Sequence, residues 1–243
     1  RFHHLFGDLL HARLTQAEPA RVPELHRRAA GWFGRHGLID EAIRHAVAAA
    51  DFDWAARLVE EHMGETLRRD EGVILSRWLS ALPEEVVRTR PNLCLAQGWM
   101  QLHIGHVDLA EQLADHAERA LERGDRANLD LELPSIGGAV TEAPAAIGLL
   151  RADLAAARGD LDGLAHWAGS ALAQIGPNER GPRFLARFQL ACVDWMAGRL
   201  AEAEVAFARL LEEGRGAPDP FPLERSCFAL GQVQAGLGKL GAA

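Results

Sequence analysis

The sequence predicts an all-α fold, a tetratricopeptide-like superhelix of antiparallel helix hairpins. Three observations predict it. Ala, Leu and Arg dominate, Glu is abundant, β-branched residues are sparse and Tyr is absent, a composition that favours helix over sheet. One turn is written repeatedly: "IGHVDLAEQLADHAERAL", "RGDLDGLAHWAGSAL", "AGRLAEAEVAFARLL" and "LGKLGAA". Small residues recur at fixed distances on both sides of that turn.

Aligned on Gly37, Gly105, Gly159, Gly198 and Gly238, the pattern is consistent. Seven residues earlier stand Ala30, Gly98, Ala152, Ala191 and Gly231, all small. Two residues later stand Ile39, Val107, Leu161, Leu200 and Leu240, all apolar. Five later come Ala42, Ala110, Leu164, Ala203 and Ala243, and twelve later Ala49, Ala117, Ala171 and Leu210. A glycine that ends one helix in a left-handed cap, followed by a second helix, accounts for the turn. Small residues on the facing sides let the two backbones approach closely.

The glycine spacings are 68, 54, 39 and 40 residues. The last two match the period of a helical solenoid, and the first two must hold extra elements. "DFDWAARLVEEHMGETL" and "EGVILSRWLSAL" have helical periodicity, and Pro83 opens a short "PEEVVRT" helix. Helices are predicted near 3–16, 21–36, 39–49, 53–69, 71–81, 83–89, 92–103, 107–122, 141–157, 161–175, 182–197, 200–213 and 221–236. "RGDRANLDLELPSIGGAV" has turn residues and no helical period, which predicts a long exposed loop over 124–139, either functional or disordered. A boundary falls near Arg90–Pro91, where the regular hairpins start. Trp32, Trp54, Trp78 and Trp167 fit apolar helix stripes and are expected in the core.

Composition narrows the chemistry. The 243-residue chain has a net charge of −8 and only one lysine, Lys239. That argues against nucleic acid as the main partner of these residues, because phosphate binding needs a concentrated basic surface. Cys94, Cys192 and Cys227 are far apart and form no CxxC pair, so a reducing, cytoplasmic setting is expected. No apolar run approaches a membrane span and no signal peptide opens the chain. The abrupt ends read as those of a piece of a longer polypeptide.

Motifs for catalysis are weak. "GLGKLG" has the spacing of a dinucleotide-binding glycine motif but follows a helical run and coincides with a repeat turn. The eleven histidines show no H-E-x-x-H pattern and no Cys/His cluster, so no metal site is expected. No serine lies in G-x-S-x-G, and carboxylate runs such as "VEEH", "PEEV" and "LLEEG" read as solvated helix faces. A helical-toroid enzyme would need a D-D-x-x-D run, which the sequence lacks. No enzyme activity is expected from these residues.

Three blocks in order, "RFHHLFGDLLHARL", "VPELHRRAAGWFGRHGLIDEAIRHAVAAADFDWAARLVEEH" and "RWLSALPEEVVRTRPNLCLAQGWMQLHIGHVDLAEQLADHAERAL", resemble one family. It is that of the large ATP-binding LuxR-type regulators of transcription (MalT-like, STAND-class). The resemblance runs from residue 1 to about 122 and becomes a generic tetratricopeptide-like repeat from about 141 onward. It implies that 1–20 end a winged-helix region, 21–90 form a helical linker with the first hairpins, and 91–243 form the repeats, the last one truncated.

The resemblance also implies a role. In that family the helical region receives an effector or regulatory protein, which controls activation, while ATP and DNA are bound by other domains. No G-x-x-x-x-G-K-[ST] phosphate loop is present, so no cofactor is expected in this segment and ATP is expected outside it. The family's geometry would turn the first helix of each hairpin toward a concave groove. The register six before Gly105, Gly159, Gly198 and Gly238 holds Trp99, Asp153, Cys192 and Gln232. With Trp195 beside it and Leu95, Phe188 and Phe228 as an apolar floor, it makes the candidate groove for an effector or partner. The competing reading is a freestanding scaffold for protein partners.

Overall fold

The computed structural model of the chain describes residues 4–69, 71–123, 131–133, 138–215 and 221–239. Thirteen helices lie among the described residues: α1 (His4–Ala17), α2 (Arg21–Arg35), α3 (Ile39–Ala48), α4 (Phe52–Arg68), α5 (Gly72–Ser80), α6 (Glu84–Arg88), α7 (Pro91–His103), α8 (Val107–Glu122), α9 (Ala143–Arg158), α10 (Leu161–Gln174), α11 (Arg180–Met196), α12 (Leu200–Gly214) and α13 (Phe221–Gly236). Each predicted helix boundary is met within two residues. The fold is all-α, a stack of helix hairpins.

The predicted loop departs from expectation. Leu131–Leu133 (β1) and Gly138–Val140 (β2) pair antiparallel, Leu131 opposite Val140 and Leu133 opposite Gly138. The pair packs against α7, α9 and α11. Residues 124–130 and 134–137 of the predicted loop lie outside the described residues.

Five turns repeat one geometry. Gly37, Gly105, Gly159, Gly198 and Gly238 have φ between 71° and 86°. In each, the residue after the glycine donates its N–H to the carbonyl five back, as Leu38 to Phe33, His106 to Gln101 and Arg199 to Asp194, at 3.0, 2.9 and 2.9 Å. The glycine donates to the carbonyl three back, as Gly105 to Leu102 at 3.0 Å. This pairing satisfies helix-end carbonyls that would otherwise be orphaned. The next helix is then started by side chains where the sequence supplies them. The Asp160 carboxylate accepts the Gly163 N–H at 2.9 Å, and a Cβ at 163 would fall 2.1 Å from that carboxylate. Pro91 opens α7 at a position where the missing N–H costs nothing.

The chain divides into two compact units, residues 1–62 with 73–86 and residues 63–72 with 87–243. In the first unit α2 and α3 form a hairpin closed by buried Ala30, Ala42 and Ala46. Asp40, at the start of α3, accepts hydrogen bonds from Arg77 and from the buried Trp78 ring nitrogen on α5, at 2.5 and 2.9 Å. Trp32, expected in the core, is 47% exposed. It shares a helix with buried Ala30 but stands on the other side, where its indole stacks on His36 with centroids 4.0 Å apart.

In the second unit the hairpins are α7/α8, α9/α10 and α11/α12, and α13 packs on α12. Second helices meet the next first helix, α8 on α9 and α10 on α11, and first helices also meet each other, α7 on α9 and α9 on α11 and α11 on α13. The small-residue registers lie inside the hairpins: Ala110, Ala117, Ala152, Ala171 and Ala203 have no exposed surface. A Cβ on Gly98 would come 2.9 Å from Leu150 and 3.6 Å from Leu113. Helix contacts this close leave no water between the backbones, so dispersion and apolar burial hold each hairpin shut. Ion pairs add to the stacking: Arg151 of α9 reaches Asp115 and Glu118 of α8 at 2.6 and 2.7 Å. Burial alone would lower the Arg151 pKa, but its bonds to Glu118 and Asp115 raise it.

Candidate partner-binding face on the first helices

The six residues expected to line the groove fall into three environments. Trp99 is buried, 2% exposed, and its ring nitrogen donates to the Asp153 carboxylate at 3.4 Å. Gln189 of α11, buried, donates to the other Asp153 oxygen at 2.7 Å and to the Leu149 carbonyl at 3.0 Å. Trp99 and Asp153 therefore join three successive first helices from inside and do not line an open groove. The register six before the turn glycine does run along the row of first helices, but α7 and α9 meet so closely there that an aromatic ring is enclosed. Gln189 was missed by the sequence reading, since nothing in α11 alone signals a bond to an element 36 residues earlier.

Burial raises the Asp153 carboxyl above the ordinary carboxylate range, while the bond from Gln189, the charge of Arg225 and the Trp99 donor pull it back. The Gln189 side-chain oxygen is buried without a hydrogen-bond partner. Burial also pushes the Cys192 thiol up to about 12, so at neutral pH it is an un-ionised packing group and no nucleophile. Cys94 is likewise pushed up to about 12, and its thiol donates to the Val87 carbonyl at 3.1 Å.

Phe188, Trp195 and Phe228 do come together. They line a cleft of about 410 Å³ between α11 and α13, completed by Glu224, Arg225 and Ala229. Phe188 forms its floor, 7% exposed, and is held by Phe184 and Phe207 with ring centroids 6.0 and 5.2 Å away. Trp195 stands edge-on to Phe207 at 6.2 Å. Phe228 is 68% exposed on the rim. The Arg225 guanidinium lies 4.6 Å above the Phe188 ring, a geometry that favours a cation over an aromatic face. Gln232 is exposed on α13 and is not among the residues lining the cleft.

Such a site is an apolar slot with two rigid rings, one half-buried cation and one exposed carboxylate. It suits an apolar anchor carrying a polar or anionic group. The α13 pattern that exposes Phe228 also places Ala229 and Val233 inside, in the same buried cluster as Phe188 and Phe207. Among the described residues, no set of three or more His, Cys, Asp or Glu side chains is grouped to hold a metal ion. No helix among them is long and apolar enough to cross a membrane.

The fold defines an all-α helical-repeat protein, and the cleft is an apolar hollow between two of its first helices. No protein-family model matches the chain. Among curated proteins, it is similar to the serine/threonine-protein kinase PknK of Mycobacterium tuberculosis and to that of Mycobacterium bovis. Each is 36% identical over 125 residues, which is 51% of this chain and 11% of the relative. The chain therefore spans about a tenth of the length of the relatives it matches, and half of it is homologous to one segment of those longer signalling proteins.

Proposed function

We propose that this chain is a helical sensor and protein-interaction segment of a large bacterial signalling protein, built as an ATP-dependent LuxR-type regulator of transcription. A small effector or a regulatory protein binds the first-helix face and biases the arrangement of domains that lie outside these residues. ATP and DNA are handled by those other domains. The effector acts only if it binds one arrangement more tightly than the other.

The observation that carries this reading is the cleft between α11 and α13, where Phe188, Trp195, Arg225 and Phe228 converge. The partial homology to a kinase supports membership in a multidomain signalling chain.

The test is a thermal-shift screen of effectors and peptides on the intact chain, followed by Phe228→Ala and Arg225→Ala. Loss of Phe228 is expected to weaken a hit about ten-fold, because an aromatic ring on the rim supplies contact area and shields the slot from water. The exposed ring can be removed without harm to the fold. A hit that neither substitution weakens would overturn the assignment.

A further inference from the structure

We propose that α2 carries a second interaction surface, separate from the cleft on α11 and α13, which docks an acidic amphipathic helix of a protein partner. Leu25, Arg28, Ala29, Trp32 and Arg35 follow the i, i+3, i+4, i+7 spacing and form one stripe along α2. The opposite side of the helix is spent on the α3 hairpin, through Ala30 and Gly34. The stripe, with Arg27 and Gly31, lines an open hollow of about 660 Å³.

Three features fix the kind of occupant. First, among the described residues the charged side chains that line the hollow are Arg27, Arg28 and Arg35, with no carboxylate beside them. Arg27 leans on Asp51 at 3.4 Å. Arg28 and Arg35 are exposed, and a chain with a net charge of −8 concentrates cations here against its overall balance. Second, the hollow has an apolar centre. Trp32 stacks on His36, whose Nδ1 lies 2.7 Å from the Trp32 carbonyl, a contact that favours one ring position and so lowers the side-chain entropy lost on binding. Tryptophan and arginine are the residues that dominate interface energies. Third, Gly31 leaves the surface concave: a Cβ there would lie 3.5 Å from both the Arg35 guanidinium and the Trp54 ring.

Arg28 and Arg35 are two helical turns apart, about 10 Å along the axis. Carboxylates two turns apart on a partner helix, with a leucine between them, would meet both arginines and cover Trp32. Nucleic acid fits less well, because the apolar centre offers a phosphate no cation and the basic groups are few.

The test uses a fluorescein-labelled synthetic helix with Glu at seven-residue spacing and Leu between, titrated into the intact protein by fluorescence anisotropy. Arg28→Glu with Arg35→Glu is expected to weaken binding at least about ten-fold, and Trp32→Ala by a similar factor. Binding should also weaken as salt is raised. Circular dichroism checks that the exposed substitutions leave the helices intact. Binding that is absent, or unchanged by the double charge reversal, overturns the proposal. So does a single-stranded oligonucleotide that displaces the peptide at lower concentration, or self-association of the protein that the charge reversal abolishes.

Discussion

Two neighbouring registers of the repeat behave in opposite ways. Seven residues before the five turn glycines, Ala30, Gly98, Ala152, Ala191 and Gly231 are all small, and the first four are buried while Gly231 is half-buried. One residue later the chain places half-buried Gly31, buried Trp99, partly buried Asp153 and Cys192, and exposed Gln232. The first register faces the second helix of the same hairpin, as Gly98 faces Ala110 and Leu113, and at Gly98 it also meets Leu150 of the next first helix. The second faces neighbouring first helices, which differ from one hairpin to the next. Architecture is therefore written in the constant register, and any specificity must be written in the variable one.

The constant register is broken hardest at Gly98. Gly98→Leu would drive a branched side chain into Leu150, Leu113 and the Ala110 carbonyl, and overpacking of this kind costs about 3 kcal/mol. Gly98→Ala is the control. Its single Cβ meets the movable end of Leu150 at 2.9 Å, a strain offset by about 1 kcal/mol of helix propensity gained over glycine. Urea unfolding midpoints of the two variants should separate clearly. Equal midpoints would mean that close approach at Gly98 does not hold α7 to α8 and α9.

The variable register is tested next, at Asp153. Asp153→Ala strips the acceptor from the Trp99 ring nitrogen and from Gln189, and an orphaned buried donor costs about 2 kcal/mol. Asp153→Asn keeps one acceptor and removes the titration. The Asp153 pKa is raised above 3.8, chiefly by burial. The unfolded carboxyl thus ionises first, and the stability this group contributes is full below its unfolded pKa and lost as pH rises through the folded value. Wild type should accordingly lose stability relative to Asp153→Asn as pH climbs from about 4. A difference that stays flat over that range would show that the carboxyl is solvated, and that the first-helix row is open where it is described as closed.

What the sequence disclosed follows the same division. Helix limits and all five turns were legible, because a left-handed glycine and the small residues around it act within one hairpin. Phe188, Trp195 and Phe228 were legible as partners because α11 and α13 repeat the same register about 40 residues apart. The Trp99–Asp153–Gln189 bonds were not, since they depend on how three hairpins stack. Nor was the β1–β2 pair, whose strands of three residues are too short for an alternating pattern to show. Trp32 was misplaced because an amphipathic stripe reads the same whether a hairpin or a partner covers it, and α2 has two such sides.

The smallest effect sharpens what the constant register requires. At the end of α3 the chain makes a sixth turn of the same form, with Asp51 donating to the Ala46 carbonyl at 3.0 Å and Ala50 to Val47 at 2.9 Å. The left-handed position there is held by Ala50, φ 53°, with no glycine. An L-residue with a Cβ pays about 1 kcal/mol or more in that conformation, which glycine adopts freely. Asp51 compensates by accepting the Trp54 N–H at 3.3 Å, which starts α4. Ala50→Gly should therefore raise stability by about 1 kcal/mol, and Gly105→Ala should lower it by about as much, both read as shifts in thermal midpoint. If Ala50→Gly is neutral or destabilising while Gly105→Ala is costly, the two turns differ in more than their residue, and the repeat would rest on glycine itself and not on the backbone geometry that glycine permits.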